Sequence, residues 1–457
     1  KFDEIKRYDA PHAKAKGGVR PNIVARYKGT KSDRTFWIMT HLDVVPPGER
    51  SLWNTDPYQL HIDGNKLYGR GTEDNHQGLV ASLLCVRALM ECGVRMPFDV
   101  ALLFNADEET GSEYGAHYLA EKHPDVFGKD DMFIVPDGGA ADASLVEIAE
   151  KSIWWQKIRT QGKQCHASMP HLGRNAFRAA SEFVVKLGSL YKTFKAKDKL
   201  FDPPMSTFEP TKKEANVPNV NTLPGDDVFY LDSRILPQYP LAQVEAEIKR
   251  LAAEIEKKFD VKISFEDLQR AEAAPPTPVD AAIVGAMIKS VKKIYKGAKP
   301  KAKGIGGGTV AAVFRKMNLP AVVYSKQDET AHMPNEYCIL EHREGEHLGV
   351  ADQVEKIITT IKPARRSVGG PVLFRVARSL QARRETCFGR KKYWPELPRA
   401  SVAREEKRGV SRLVSRVSAV SQIGWESFRK TRCTSTPHGC RDRSFRKHCC
   451  RRASSSG

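Results

Sequence analysis

The sequence predicts an α/β protein: an open α/β sheet, interrupted by a smaller α+β unit and followed by a basic tail of low order. Three observations predict it. Short apolar runs at 35–40 (TFWIMT) and 100–105 (VALLFN) end in polar residues, with a helix-spaced run at 78–92 (GLVASLLCVRALMEC) between them. Past Lys151 the rhythm changes to alternating strands and helices without a repeated βαβ unit. After about Lys362, Arg and Ser dominate and no apolar period persists beyond a turn or two.

The elements follow in order. The run at 153–160 (IWWQKIRT) alternates like a half-buried strand, and 175–191 has helical spacing. A strand at 227–235 (DVFYLDSRI), a helix at 240–259 and a strand at 261–265 come next. The proline-rich stretch 274–279 (APPTPV) is a linker, and a helix at 281–295 returns to the style of the first part. The economical division is a main domain at 1–151 and 274–362, an inserted domain at 152–273, and a tail at 363–457.

Composition narrows the function. The formal charge of +19 suggests a nucleic-acid binder, but residues 363–457 hold 24 Lys and Arg against 6 Asp and Glu. That leaves 50 basic and 49 acidic residues for 1–362, a net of +1. The tail carries the charge. No run approaches the ~18 apolar residues of a membrane span. Cys85, Cys92, Cys165 and Cys338 are scattered through the body, which suits a reducing, cytoplasmic compartment and not a disulfide scaffold.

Acidic and histidine residues recur at strand ends and turns. His41 and Asp43 follow TFWIMT, where a continuing strand would place both on one face and let Asp43 orient a metal-bound His41. A surface histidine beside a loop aspartate is the plainer alternative. In YGRGTEDN two glycines permit a tight path that delivers Asp74 to a buried position ahead of the helix, or simply make a turn and a cap. Asp107-Glu108-Glu109 follows VALLFN; in a cleft one carboxylate can bind a metal while its neighbour takes a water proton, and in isolation the run is a solvated turn. Asp137 (VPDGG) and His332 (ETAHMPNE) complete the set. Two histidines and three carboxylates suit zinc, manganese or cobalt, and the absence of cysteine ligands disfavours a structural zinc.

With the motifs HLDVVP, YGRGTEDN, DEETG and AHMPNE in order, the chain resembles the M20 metallopeptidases, a family of dipeptidases, carboxypeptidases and N-acyl-amino-acid deacylases. The resemblance implies an aminopeptidase-like catalytic domain with two divalent metal ions, zinc before cobalt or manganese. His41 and Asp137 would hold one ion, Glu109 and His332 the other, and Asp74 would bridge them. Asp43 matches the carboxylate behind His41, and Glu108 the general base that deprotonates a metal-bridging water. The inserted domain resembles the family's lid, which usually forms a homodimer interface. His166 matches a lid histidine that reaches the partner's site and stabilises the oxyanion. Asn221 and Arg234 match lid residues that grip a substrate carboxylate, and Gly308 and Thr309, with Gly307, match a loop that completes that pocket. The substrates implied are dipeptides or small N-acylated amino acids. Deacylases such as succinyl-diaminopimelate desuccinylase or acetylornithine deacetylase are the alternative. Aspartate at 137, where the deacylases more often carry glutamate, favours peptides with a free amino end.

Two features stand outside the resemblance. Lys1 begins nearer HLDVVP than is usual, which suggests that a first helix and strand are partly missing. The tail is a basic arm for nucleic acid or anionic surfaces, a targeting or partner-binding extension, or the frame-shifted reading of GC-rich coding sequence; its composition favours the last. A nucleic-acid-binding protein acting through the tail is the competing function from another class. Cys433, Cys440, Cys449 and Cys450 lack the paired spacing of a zinc knuckle.

Overall fold

The computed structural model describes residues 1–340. Everything expected of the tail and of its cysteines lies outside the described residues.

An eight-stranded sheet runs in the order Glu4–Pro11, Val19–Tyr27, Asp99–Asn105, Thr35–His41, Met132–Gly139, Ala321–Ser325, Leu145–Glu150, Lys301–Ile305. Thr35–His41 lies parallel to both Asp99–Asn105 and Met132–Gly139, which in turn pairs in parallel with Ala321–Ser325. Every residue of Thr35–His41 and Asp99–Asn105 is buried. Such continuous apolar runs belong to central strands covered on both faces. Alternation divides their side chains. Phe36, Ile38, Val100 and Leu102 join Cys85, Val86 and Leu89 of the Gln77–Glu91 helix and Val284 and Met287 of the Ala282–Ile294 helix. Trp37, Met39, Ala101 and Leu103 pack on the other face with Leu119 and Phe314. Beneath them Phe133 stacks on Phe314, with ring centroids 3.8 Å apart.

A second sheet, antiparallel, runs Thr207–Lys213, Asp226–Ile235, Ser152–Gln161, Lys262–Ala271. Trp154, Ile158, Phe229 and Leu231 share a core with the helices Ala176–Leu187 and Leu241–Phe259. The Asn175 side chain caps the first of these helices by accepting the Arg178 N–H.

The expected elements recur with differences, and the strands Leu145–Glu150, Thr207–Lys213 and Lys301–Ile305 have no counterpart among them. The helix expected at 175–191 ends at Leu187, and Gly188 and Ser189 separate it from a single turn, Leu190–Thr193. The strand expected at 261–265 extends to Ala271, because an edge strand tolerates the polar run that follows Phe265. Sequence reasoning assigns no element before Thr35, yet Glu4–Pro11 and Val19–Tyr27 form an antiparallel hairpin at one edge of the large sheet. Among the described residues, no helix is long and apolar enough to cross a membrane.

Candidate metal centre

The parallel strands deliver the first site residues to their carboxyl ends, where open α/β sheets place their sites. His41 closes its strand in register with Asn105, and Asp137 lies near the end of the neighbouring strand. Beyond Asn105 the chain reverses at Asp107, with φ +69°, into the single turn Glu108–Thr110. Asp74 comes from the distorted turn Thr72–His76 that enters the Gln77–Glu91 helix. Gly71, with φ +86°, makes that approach possible: a Cβ there would lie 2.4 Å from Val44 Cγ1. His332 arrives on the loop after Ala321–Ser325.

These residues converge. His41 Nε2 lies 2.9 Å from Asp74 Oδ1 and 3.3 Å from Asp137 Oδ1. His332 Nε2 lies 3.1 Å from Asp74 Oδ2 and 3.0 Å from Glu109 Oε2. Asp74 thus turns one oxygen to each imidazole. Ligand atoms of His41, Asp74 and Glu109 fall within 4.8 Å of one another, as do those of His41, Glu108 and Asp137.

The charges here are unbalanced. Burial, and then the charges of Asp137 and Asp74, push Glu108 up to about 8. Burial and Asp74 push Glu109 up to about 7, and burial raises Asp137. Burial would lower His41, but the facing Asp137 and Asp74 carry it well above its ordinary value. The hydrogen bond to Asp74 raises His332 to about 9. Burial works against ionising Asp74, yet the bonds from His332 and His41 outweigh it and hold the carboxyl below its ordinary range. Asp137 Oδ1 is buried without a well-formed hydrogen bond. Two nitrogens on one tetrahedral zinc, or a nitrogen and an oxygen, stand about 3.4 Å apart, close to the separations observed here. Donor chemistry, spacing and the orphaned oxygen all fit a divalent cation.

Asp43 departs from its expected geometry. Its main-chain carbonyl, not its carboxylate, lies at hydrogen-bonding distance from His41 Nδ1, 2.9 Å, while carboxylate Oδ1 is 3.7 Å away. The strand ends at His41, so the same-face alternation does not continue. The Asp43 carboxylate instead accepts the main-chain N–H groups of Glu108 and Glu109, each at 3.1 Å.

The expected substrate residues make contacts of their own. His166 is exposed and its Nδ1 lies 2.7 Å from Ser168 Oγ. The Asn221 main-chain carbonyl accepts the Ala167 N–H, 2.8 Å. Arg234 pairs through Nε with Asp232, 2.7 Å, and donates from Nη1 to the Gly306 carbonyl, 2.8 Å, just ahead of Gly308. Thr309 gives its N–H, 3.1 Å, and its hydroxyl to the buried Glu150. Arg315 in turn bridges Glu150 and Glu147. Sequence reasoning passes over Glu73, Glu150, Arg315 and Glu336. Glu73 and Glu336 lie inside quoted motifs, whereas only tertiary contact reveals Glu150 and Arg315.

The family model described as Peptidase family M20/M25/M40 matches residues 37–344. An uncharacterized metallohydrolase of Methanococcus maripaludis is 38% identical over 354 residues, covering 74% of this chain and 84% of that protein. An acetylornithine deacetylase of Dictyostelium discoideum is 27% identical over 391 residues, covering 72% and 84%. Among solved structures, a Staphylococcus aureus tripeptidase superposes with a TM-score of 0.61 at 17% identity, over 78% of this chain and 89% of its own.

Proposed function

The chain belongs to peptidase family M20/M25/M40 and is a metallohydrolase of the peptidase and amidohydrolase type, and from this we propose that it cleaves the amide bond of dipeptides or small N-acylated amino acids at a dinuclear centre. The observation that carries the proposal is Asp74, set between His41 and His332 with one oxygen toward each. His41 and Asp137 would hold one divalent ion, Glu109 and His332 the other, with Asp74 shared and zinc favoured by the mixed N/O donors. When bound, the ions polarise the amide carbonyl and lower the pKa of water.

The chain's own residues supply the rest. Glu108, on the Asp43-anchored turn and close to His41 and Asp137, takes a proton from the attacking water as the oxygen–carbon bond forms. It returns that proton to the nitrogen as the carbon–nitrogen bond breaks. Arg234 and Asn221 would bind the substrate carboxylate, with Gly308 and Thr309 lining the pocket; the Arg234 bond to Gly306 ties the guanidinium to that loop. His166 would stabilise the oxyanion from the lid of a partner copy, the unit at 152–273 forming the homodimer. Four cysteines scattered through the body, Cys85, Cys92, Cys165 and Cys338, fit a reducing, cytoplasmic setting and not a disulfide scaffold.

Asp137 favours dipeptides with a free amino end. The deacetylase relative favours the second reading, removal of an acyl group from an amino acid. The test is a metal-reconstituted screen of dipeptides beside N-acetyl and N-succinyl amino acids. Chelation abolishes turnover, and zinc, cobalt or manganese restores it. Full turnover after exhaustive chelation refutes the proposal.

A further inference from the structure

Two carboxylates outside the donor set join the loops that carry Asp74 and His332. Glu336 is completely buried. Its Oε2 accepts Arg70 Nη1 at 2.6 Å and the Gly71 N–H at 2.9 Å. Its Oε1 accepts the main-chain N–H groups of Glu73 at 2.9 Å and of Asp74 itself at 3.0 Å. A carboxylate offers about four lone-pair sites, and one short segment fills them all. Glu73 works in the opposite direction. Only 2% exposed, it accepts the Asp328 N–H on Oε1 at 2.6 Å, and on Oε2 both the Thr330 N–H and the Thr330 hydroxyl, the latter at 2.8 Å. Each loop therefore sends one buried carboxylate into the backbone donors of the other.

We propose that Glu73 and Glu336 are positioning residues that hold Asp74 and His332 in register across the candidate metal centre; this rests on reading those two as metal ligands. The bonds end on the Asp74 N–H and on Thr330, two residues before His332, so they fix the backbone from which both side chains project. Metal sites tolerate ligand displacements of only about 0.2 Å. Two loops 262 residues apart at the Asp74–Glu336 bond are tied directly by these carboxylates next to the two candidate ligands. Stability alone is a poor reason for the arrangement, since two buried carboxylates, of which Glu336 is paired with Arg70, are costly compared with apolar side chains of similar volume. The supporting contacts extend the tie: Gly69 N–H donates to the Glu336 carbonyl at 3.0 Å, and Tyr337–Ile339 pairs antiparallel with Lys66–Tyr68.

The test is a zinc titration of the metal-free full-length chain by competition with a chromophoric chelator. Glu73→Gln and Glu336→Gln keep the side-chain size but turn an NH2 toward groups that are already donors. In the folded variants the zinc Kd rises about 10- to 100-fold. A lower melting temperature with an unchanged Kd marks a merely structural role and overturns the proposal. His332→Ala separates the two layers of the argument. If it leaves zinc affinity unaltered, the ligand reading fails and the positioning role falls with it. If it weakens zinc while both Gln variants bind like wild type, only the positioning role is lost. Should a Gln variant fail to fold, Thr330→Val removes the hydroxyl that bonds Glu73 and the Tyr337 main chain, and raises the Kd about threefold; a wild-type Kd there also overturns the proposal.

Discussion

Asp74 Oδ1 stands 2.9 Å from His41 Nε2, although the two side chains arise from unrelated elements, a parallel strand end and a distorted helix entry. With its second oxygen on His332, Asp74 is the one carboxylate in contact with both imidazoles among the described residues. Asp74→Asn preserves shape and removes the charge that serves both sides. Elemental analysis after gel filtration is expected to show zinc falling from about two per chain to below one, with turnover at background. Undiminished zinc in this variant removes Asp74 from the bridging position.

The buried trio Glu147, Glu150 and Arg315 makes stability depend on pH. Burial, only partly offset by Arg315 and reinforced by the Glu150 charge, pushes Glu147 up to about 8 from an ordinary 4.5. Between those values the native chain keeps a proton that the unfolded chain has lost. The contribution is therefore full below about pH 4.5 and is lost as pH rises through about 8. Glu147→Gln has no such proton. Urea unfolding of metal-free protein should show wild type losing stability relative to this variant across that window, with a slope of at most about 1.4 kcal/mol per pH unit. A pH-independent difference contradicts the assignment.

Phe314 supports the site from beneath. It stacks on Phe133, four residues before Asp137 on the same strand, and both rings are fully buried. Phe314→Ala should cost about 3–5 kcal/mol in urea unfolding because the cavity sits between rigid layers. A loss below about 1 kcal/mol would mean that the layers collapse to fill the space.

The parts of the molecule legible in its sequence are those fixed by local pattern. TFWIMT and VALLFN can be read as central strands because burial on both faces leaves them no polar alternation. His41, Asp74, Glu109, Asp137 and His332 can be proposed as one set because each follows an apolar run or a glycine turn, and the structure brings them together. What remains hidden depends on contacts between distant segments. Nothing local in the sequence pairs Glu73 with Thr330 or Arg315 with Glu147, and the Glu4–Tyr27 hairpin has too weak an alternation to stand out. Asp232 beside Arg234 was accessible in principle, since a two-residue spacing in a strand places both on one face. The Asp43 carboxylate was not, because its role depends on where the strand ends.

On the proposed mechanism, Glu108 moves the proton while other residues hold the metal. The most direct measurement combines zinc content and turnover for Glu108→Gln, prepared and reconstituted beside wild type. The predicted result is unchanged zinc with kcat lowered about 10²- to 10⁴-fold. Turnover like that of wild type at full zinc occupancy would contradict the claim and return Glu108 to an ordinary residue of the DEETG turn.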